Sequence, residues 1–255
     1  MAPSTLRRWP YPVHLAHRGG GTLAPENTIL ALRTGWEHGY RAAEVDAVLT
    51  ADGVPVLLHD ETLERTTDGH GSIARMRRAD LEHLDAGSWC GARFAGARVP
   101  TLVEALEYCR SQGIWLNVEI KPASGWDAPT GAVVARTIAG FQAQVPADAD
   151  HVPAPLLSSF SRSALEAARD AAPELPRAML FDAVPADWLG LARALGVVAI
   201  HCEHRALDPG RAAQIVASGY GLLCYTVNDL ARAELLRGWG VDAICTDRID
   251  RIVPG

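Results

Sequence analysis

Three carboxylates stand out by placement: Glu44 and Asp46 in the run AEVDAV, and Glu119 in NVEIK. Each sits inside a short apolar, β-branched segment. Alternation along such a segment puts Glu44 and Asp46 on one side, and likewise Asn117, Glu119 and Lys121. Acidic groups that converge repel one another unless a cation joins them, and hard oxygen donors suit Mg2+ or Ca2+ better than Zn2+. Two histidines complete the set. His17 ends an apolar run and is followed by Arg18 and then Gly19, Gly20 and Gly21; His59 ends a second run, VPVLLHD. Imidazoles exchange protons near neutral pH, and Arg18 offers a planar fork for a phosphate. Consecutive glycines let backbone N–H groups approach an anion, and a helix opening at Pro25-Glu26-Asn27 adds its positive end.

Plainer readings compete. Glu44 and Asp46 could lie on a solvated strand edge, His17 and His59 could be hydrogen-bonded structural histidines, and Lys121 could be a mere ion-pair partner of Glu119. His201 and His204 read as a packing pair at a strand end. Trp89 reads as a lid contact or as the anchor of its own loop, and Tyr225 as a substrate contact or as rim packing. Glu203 in HCEH adds a carboxylate with no evident role.

The elements that must position these residues alternate along the chain. Strands are predicted at Val13–Ala16, Ala43–Val48, Val54–Leu58, Ile114–Ile120, Pro155–Ser159, Arg177–Phe181, Val197–Cys202, Gly221–Val227 and Asp242–Thr246. Helices are predicted at Pro25–Gly39, Thr101–Gln112, Pro129–Ala143, Ser163–Ala171, Pro185–Leu195, Pro209–Ser218 and Asp229–Trp239. The third strand follows the second across Ala51-Asp52-Gly53, a hairpin signal, so it returns antiparallel. The other eight are parallel in type, which is the pattern of a (β/α)8 TIM barrel with a β-hairpin after strand two. A doubly wound open sheet is the competing architecture. The chain, 1–255, reads as a single barrel domain, with the polar, Arg- and Gly-rich stretch 61–100 as an insertion, or lid, over the barrel mouth. Active sites of such barrels lie at the C-terminal ends of the strands, where the carboxylates and histidines fall. A hairpin turning at 51–53 brings His59 back to the level of Glu44 and Asp46.

The 255 residues carry 48% hydrophobic and 21% charged side chains, enough for a full core. A net charge of -6 without a basic run excludes a nucleic-acid groove. No stretch reaches the roughly 20 apolar residues of a membrane span, and the N-terminus lacks the apolar run of a signal peptide. Five scattered cysteines without a C-x-x-C read as reduced thiols, hence a cytoplasmic protein with no membrane insertion.

Taken in order, HRGG (17–20), PENT (25–28), EVD (44–46), HD (59–60), EIK (119–121) and YTVN (225–228) resemble the glycerophosphodiester phosphodiesterases. LERTTDGHG, DAGSW, LLSSF and ICTD resemble them too, and the likeness is nearest the bacterial cytosolic branch. The resemblance implies a (β/α)8 barrel, one divalent metal ion (Mg2+, Ca2+ or Mn2+) and hydrolysis of deacylated phospholipids to glycerol 3-phosphate and an alcohol. Glycerophosphocholine and glycerophosphoethanolamine are the substrates it suggests. By motif, Glu44, Asp46 and Glu119 are the implied metal ligands and His17 and His59 the acid–base pair. Arg18 and Lys121 are the implied phosphate contacts, with Tyr225 at the substrate. Attack by the glycerol's own hydroxyl, through a cyclic phosphate, and attack by water are both open. Two other functions compete: a phospholipase-type lyase on the same barrel that stops at the cyclic product, and a non-catalytic phosphate-ligand binder.

Overall fold

All nine predicted strands form, because each is a short β-branched or apolar run ended by a polar or glycine-bearing turn. The computed structural model of the chain describes residues 9–144 and 152–254. Its strands are β1 (His14–Ala16), β2 (Ala42–Leu49), β3 (Pro55–Leu57), β4 (Trp115–Ile120), β5 (Leu156–Ser159), β6 (Arg177–Phe181), β7 (Ala199–Glu203), β8 (Gly221–Tyr225) and β9 (Ala243–Thr246). The sheet runs β1-β9-β8-β7-β6-β5-β4-β2, and β1 pairs with β2 to close it. These eight strands are parallel; β3 alone is antiparallel, on β2. The architecture is a (β/α)8 barrel, and the open sheet is excluded by the β1–β2 pairing.

The principal helices are α1 (Ile29–Glu37), α2 (Arg78–Leu81), α3 (Leu102–Gln112), α4 (Asp127–Gln142), α5 (Arg162–Ala171), α6 (Trp188–Leu195), α7 (Pro209–Ala217) and α8 (Leu230–Gly238). The first was expected from Pro25 and begins four residues later. Asn27 has φ 58°, outside the helical range, and Thr28 caps the helix by accepting from the Ala31 N–H at 3.1 Å. The short α2 lies inside 61–100 and was not anticipated. No helix among the described residues is long and apolar enough to cross a membrane. Residues 1–8, which bear on the signal-peptide reading, lie outside the described residues.

Alternation places the site. Ala43, Val45 and Ala47 of β2, and Leu116, Val118 and Ile120 of β4, pack outward against α1, α3, α4 and α5. Glu44, Asp46, Asn117 and Glu119 therefore point into the barrel. The bottom of the lumen is sealed by apolar groups, Leu15, Trp115, Leu156, Ala178 and Leu223 among them. Trp9 and Tyr11 plug it from below, with Tyr11 stacked on Trp115 at 4.2 Å. Polar groups inside the barrel thus face one open end. The stretch after β3 builds its own small core on the hairpin, from Val48, Val56, Leu58, Leu63, Ile73, Leu81 and Val99.

Candidate active site

Glu44, Asp46 and Glu119 each offer an oxygen within 4.8 Å of the others. The register sets this directly, since Asp46 pairs with Glu119 and Glu44 with Asn117 across β2 and β4. Burial and the charge of Asp46 push the Glu44 carboxyl up to about 7 and the Glu119 carboxyl up to about 8. Asp46 stays below the usual range despite its burial, because Arg18, His59, Lys121 and the Asn27 amide favour its charge. Three oxygen donors that cannot all ionise without a cation fit a hard divalent ion. Lys121, expected as a phosphate contact, meets this cluster: its Nζ is 3.3 Å from Glu119 Oε1 and 3.9 Å from Asp46 Oδ1.

The loop after β1 is bent back over the triad. Arg18 has φ 51°, a left-handed conformation unusual outside glycine, and its N–H donates to Glu44 Oε2 at 3.1 Å. Asn27 grips Asp46 twice: its Nδ2 donates to Oδ2 at 2.8 Å, and its Oδ1 accepts from the Asp46 N–H at 3.0 Å. Arg18 Nη1 donates to Glu26 Oε1 at 2.6 Å, while its Nε lies 3.6 Å from Asp46 Oδ2. Gly20 and Gly21 also serve the packing of the loop. What comes close to them is the chain itself: a Cβ on Gly20 would stand 3.0 Å from Ala31 of α1, and one on Gly21 would stand 2.1 Å from the Asp247 carbonyl oxygen. They let the loop pack between α1 and the end of β9, which carries Arg18 to the triad.

Each histidine is backed by a carboxylate. His17 Nδ1 lies 2.6 Å from Asp247 Oδ1, and the other oxygen of Asp247 accepts from Asn228 Nδ2 at 3.0 Å. His17 Nε2 is 3.9 Å from Glu44 Oε2. His59 Nδ1 lies 2.6 Å from Asp60 Oδ1. The hairpin returns His59 to the triad's level as expected, since the Leu58 N–H donates to the Asp46 carbonyl at 3.1 Å. The two rings differ in environment. Burial opposes protonation of His17, but Asp247 and Glu44 outweigh it and hold its pKa above the ordinary value. At His59 burial wins, helped by Arg18 and Lys121 against Asp46 and Asp60, and its pKa is lowered.

The remaining expected residues sit around the mouth. The Tyr225 hydroxyl donates to the Phe181 carbonyl at 2.9 Å, and its ring meets Phe160 edge-on at 6.1 Å. Trp89, its side 44% exposed, lines a cleft of about 350 Å3 with His17, Arg18, Glu26, Cys90 and Asp247. Asp85 organises that loop by accepting from the Gly87, Ser88 and Gly96 N–H groups. Glu203 folds the β7–α7 loop, accepting from the Arg205 and Ala206 N–H groups at 2.7 and 3.1 Å. His201 is not at a rim: it is wholly buried inside the barrel, 6.2 Å from the Trp9 ring, while His204 Nδ1 accepts from Arg232 Nε. Sequence reasoning gave no individual role to Asn27, Asp60, Asn228 and Asp247. All four fall within PENT, HD, YTVN and ICTD, which was the available signal.

This constellation has relatives. Residues 17–251 match the model of the glycerophosphoryl diester phosphodiesterase family. The chain belongs to that family. A glycerophosphodiester phosphodiesterase of Caldanaerobacter subterraneus subsp. tengcongensis is 30% identical over 239 residues, 94% of this chain and 95% of that one. Among solved structures, an Oleispira antarctica phosphodiesterase in complex with the product sn-glycerol-3-phosphate superposes with a TM-score of 0.86 at 36% identity, covering 94% and 95% of the two chains. A Silicibacter pomeroyi protein described as a glycerophosphoryl diester phosphodiesterase gives 0.80 at 26% identity, covering 95% of this chain and 92% of that one. The chain is accordingly an enzyme of the glycerophosphodiester phosphodiesterase family, with a barrel whose mouth carries an acidic cluster able to hold a metal.

Proposed function

We propose that this phosphodiesterase hydrolyses glycerophosphodiesters of the glycerophosphocholine and glycerophosphoethanolamine type to glycerol 3-phosphate and an alcohol. The observation that carries the reading is the triad Glu44, Asp46 and Glu119 set at one barrel end with two carboxylate-backed imidazoles. A non-catalytic binder has no need of two oriented proton carriers. The product held by the Oleispira antarctica relative supports the same substrate class.

Glu44, Asp46 and Glu119 would hold one divalent ion, Mg2+, Ca2+ or Mn2+, which when bound draws charge from the phosphoryl oxygens. Arg18 presents its guanidinium beside the triad, where it would meet a phosphate oxygen. Lys121 would turn from Glu119 to the same anion. The imidazoles divide the proton work. His59, with a lowered pKa and Nδ1 tied to Asp60, accepts at Nε2 the proton of the attacking group, the glycerol's own hydroxyl or water; His17, with a raised pKa and Nδ1 tied to Asp247, supplies one to the leaving alcohol, and where the hydroxyl attacks, water then opens the cyclic phosphate to glycerol 3-phosphate. The stretch 61–100, within one domain of 1–255, covers the mouth and brings Trp89 to the leaving group. The free cysteines are consistent with a cytoplasmic location.

The test is turnover of glycerophosphocholine before and after exhaustive chelation, followed by readdition of each ion. Activity should vanish and return to different degrees with Mg2+, Mn2+ and Ca2+; full activity in demonstrably metal-free protein rejects the metal. Run across head groups, the same assay with Trp89→Ala should change KM unequally, and equal changes would leave Trp89 a structural anchor.

A further inference from the structure

Arg65 lies in the LERTTDGHG motif and has no part in the proposed chemistry. Its side chain is 44% exposed, yet its guanidinium makes two forks. One grips Glu26, from Nη1 to Oε2 at 2.7 Å and from Nη2 to Oε1 at 2.8 Å. The other grips Asp60, from Nε to Oδ2 at 2.5 Å and from Nη2 to Oδ1 at 3.1 Å. Both acceptors are already in use. Glu26 Oε1 also accepts from Arg18, and Asp60 Oδ1 also faces His59 Nδ1, each at 2.6 Å. One residue therefore ties the carboxylate that aims Arg18 to the carboxylate that aims His59, although the two carboxylates come from different loops.

We propose that Arg65 is a positioning residue: its guanidinium locks Glu26 and Asp60 together, and so holds Arg18 and His59 at a fixed separation across the substrate phosphate. The proposal rests on reading Arg18 as a phosphate contact and His59 as a proton carrier. Its physical basis is competition. Arg18 has a second partner in reach, Asp46, at 3.6 Å from its Nε. Glu26 draws the guanidinium away from that triad carboxylate, and Arg65 keeps Glu26 where it can do so. Without the fork, Glu26 and Asp60 are two carboxylates freed to rotate, Arg18 relaxes toward Asp46, and the His59 ring loses a fixed acceptor. A point charge cannot substitute, because a lysine ammonium does not span two carboxylates bidentately. Exposed ion pairs contribute little to global stability, so the loss falls on geometry and leaves the fold intact.

The experiment measures kcat, KM and thermal midpoint for Arg65→Ala and Arg65→Lys, with Arg18→Ala and His59→Ala in parallel, on glycerophosphocholine at saturating divalent ion. Arg65→Ala should lose about 10²-fold in kcat/KM, as a small misplacement of reacting groups costs. Its midpoint should stay within about 3 °C of the unmodified protein. Arg65→Lys should fail to restore the rate, whereas added guanidinium ion should partly rescue Arg65→Ala and ammonium ion should not. Unchanged kcat and KM in Arg65→Ala, or full activity in Arg65→Lys, overturns the proposal. If Arg65→Ala does not fold, Arg65→Lys decides alone: a loss of about tenfold or more supports it, and unchanged constants overturn it. Should Arg18→Ala and His59→Ala keep normal rates, the functional reading itself fails; should they lose activity while the Arg65 variants do not, only the positioning role falls.

Discussion

At the scale of residues, His17 and His59 share one device, a carboxylate 2.6 Å from Nδ1, and differ in what surrounds it. Asp247 and Glu44 favour the charged form of His17, whereas burial, helped by Arg18 and Lys121, disfavours it at His59. This division makes a prediction about leaving groups. His17→Ala should cost about 10²–10⁴-fold in kcat on glycerophosphocholine, whose alkoxide needs a proton, and far less on a glycerophospho-p-nitrophenol, whose phenolate leaves unassisted. His59→Ala should be equally slow on both. Comparable losses for the two variants on the p-nitrophenyl substrate would undo the assignment. The triad and both histidines were legible in the sequence because alternation within apolar runs is a local signal. Their supports were not. Asp247 is 230 residues from His17, and Asn27 grips an aspartate 19 residues away. Polar loop residues carry no periodicity to announce a partner brought by folding.

Among the elements, hydrophobic alternation and turn chemistry sufficed for the strands and the returning hairpin, while closure, which the sequence left open against a doubly wound sheet, is settled by the β1–β2 pairing. Helix starts were less legible. Pro25 reads as a first helical position, yet Asn27 takes a left-handed turn to clamp Asp46, and the site overrides the local signal. The glycines also meet helix α1 and the Asp247 carbonyl, and packing and ligand approach leave the same mark on a sequence. His201 read as a rim residue because β7 runs one residue further than expected, to Glu203. Its full burial holds the imidazole neutral, with the pKa pushed down to about 3. In the unfolded chain it titrates near the ordinary value of about 6.5. Below that value the unfolded state binds a proton that the folded state refuses, so stability falls with falling pH from about 6.5 toward 3. Urea unfolding should show the parent losing about 2 kcal/mol more than His201→Leu between pH 7.5 and 5. Parallel pH profiles for the two proteins would mean that the buried ring accepts its proton.

For the molecule as a whole, the triad makes the barrel's stability depend on pH in the opposite direction. Glu44 and Glu119 have folded pKa values raised to about 7 and about 8, above the roughly 4.5 of an unhindered glutamate. Between these limits the folded, metal-free protein binds more protons than the unfolded chain, so its stability falls as pH rises from about 4.5 to 8. The cause is the barrel itself: β2 and β4 are in register, their inward carboxylates cannot separate, and the plugged floor of Trp9, Tyr11 and Trp115 closes off the far end. A divalent ion held by the triad would bind only the deprotonated set and only the folded chain, so it should stabilise more where those protons are already gone. At an ion concentration 100 times its dissociation constant the gain is about 2.7 kcal/mol. The expected pattern is a thermal midpoint that drops from pH 6 to pH 8 in chelated protein, and a metal-induced rise that is larger at pH 8 than at pH 6. Glu119→Gln removes one of the strained charges, so it should flatten the metal-free decline and shrink the metal-induced rise together. A midpoint indifferent to divalent ions at both pH values would separate the acidic cluster from any metal, while a decline unchanged in Glu119→Gln would place its origin outside the triad.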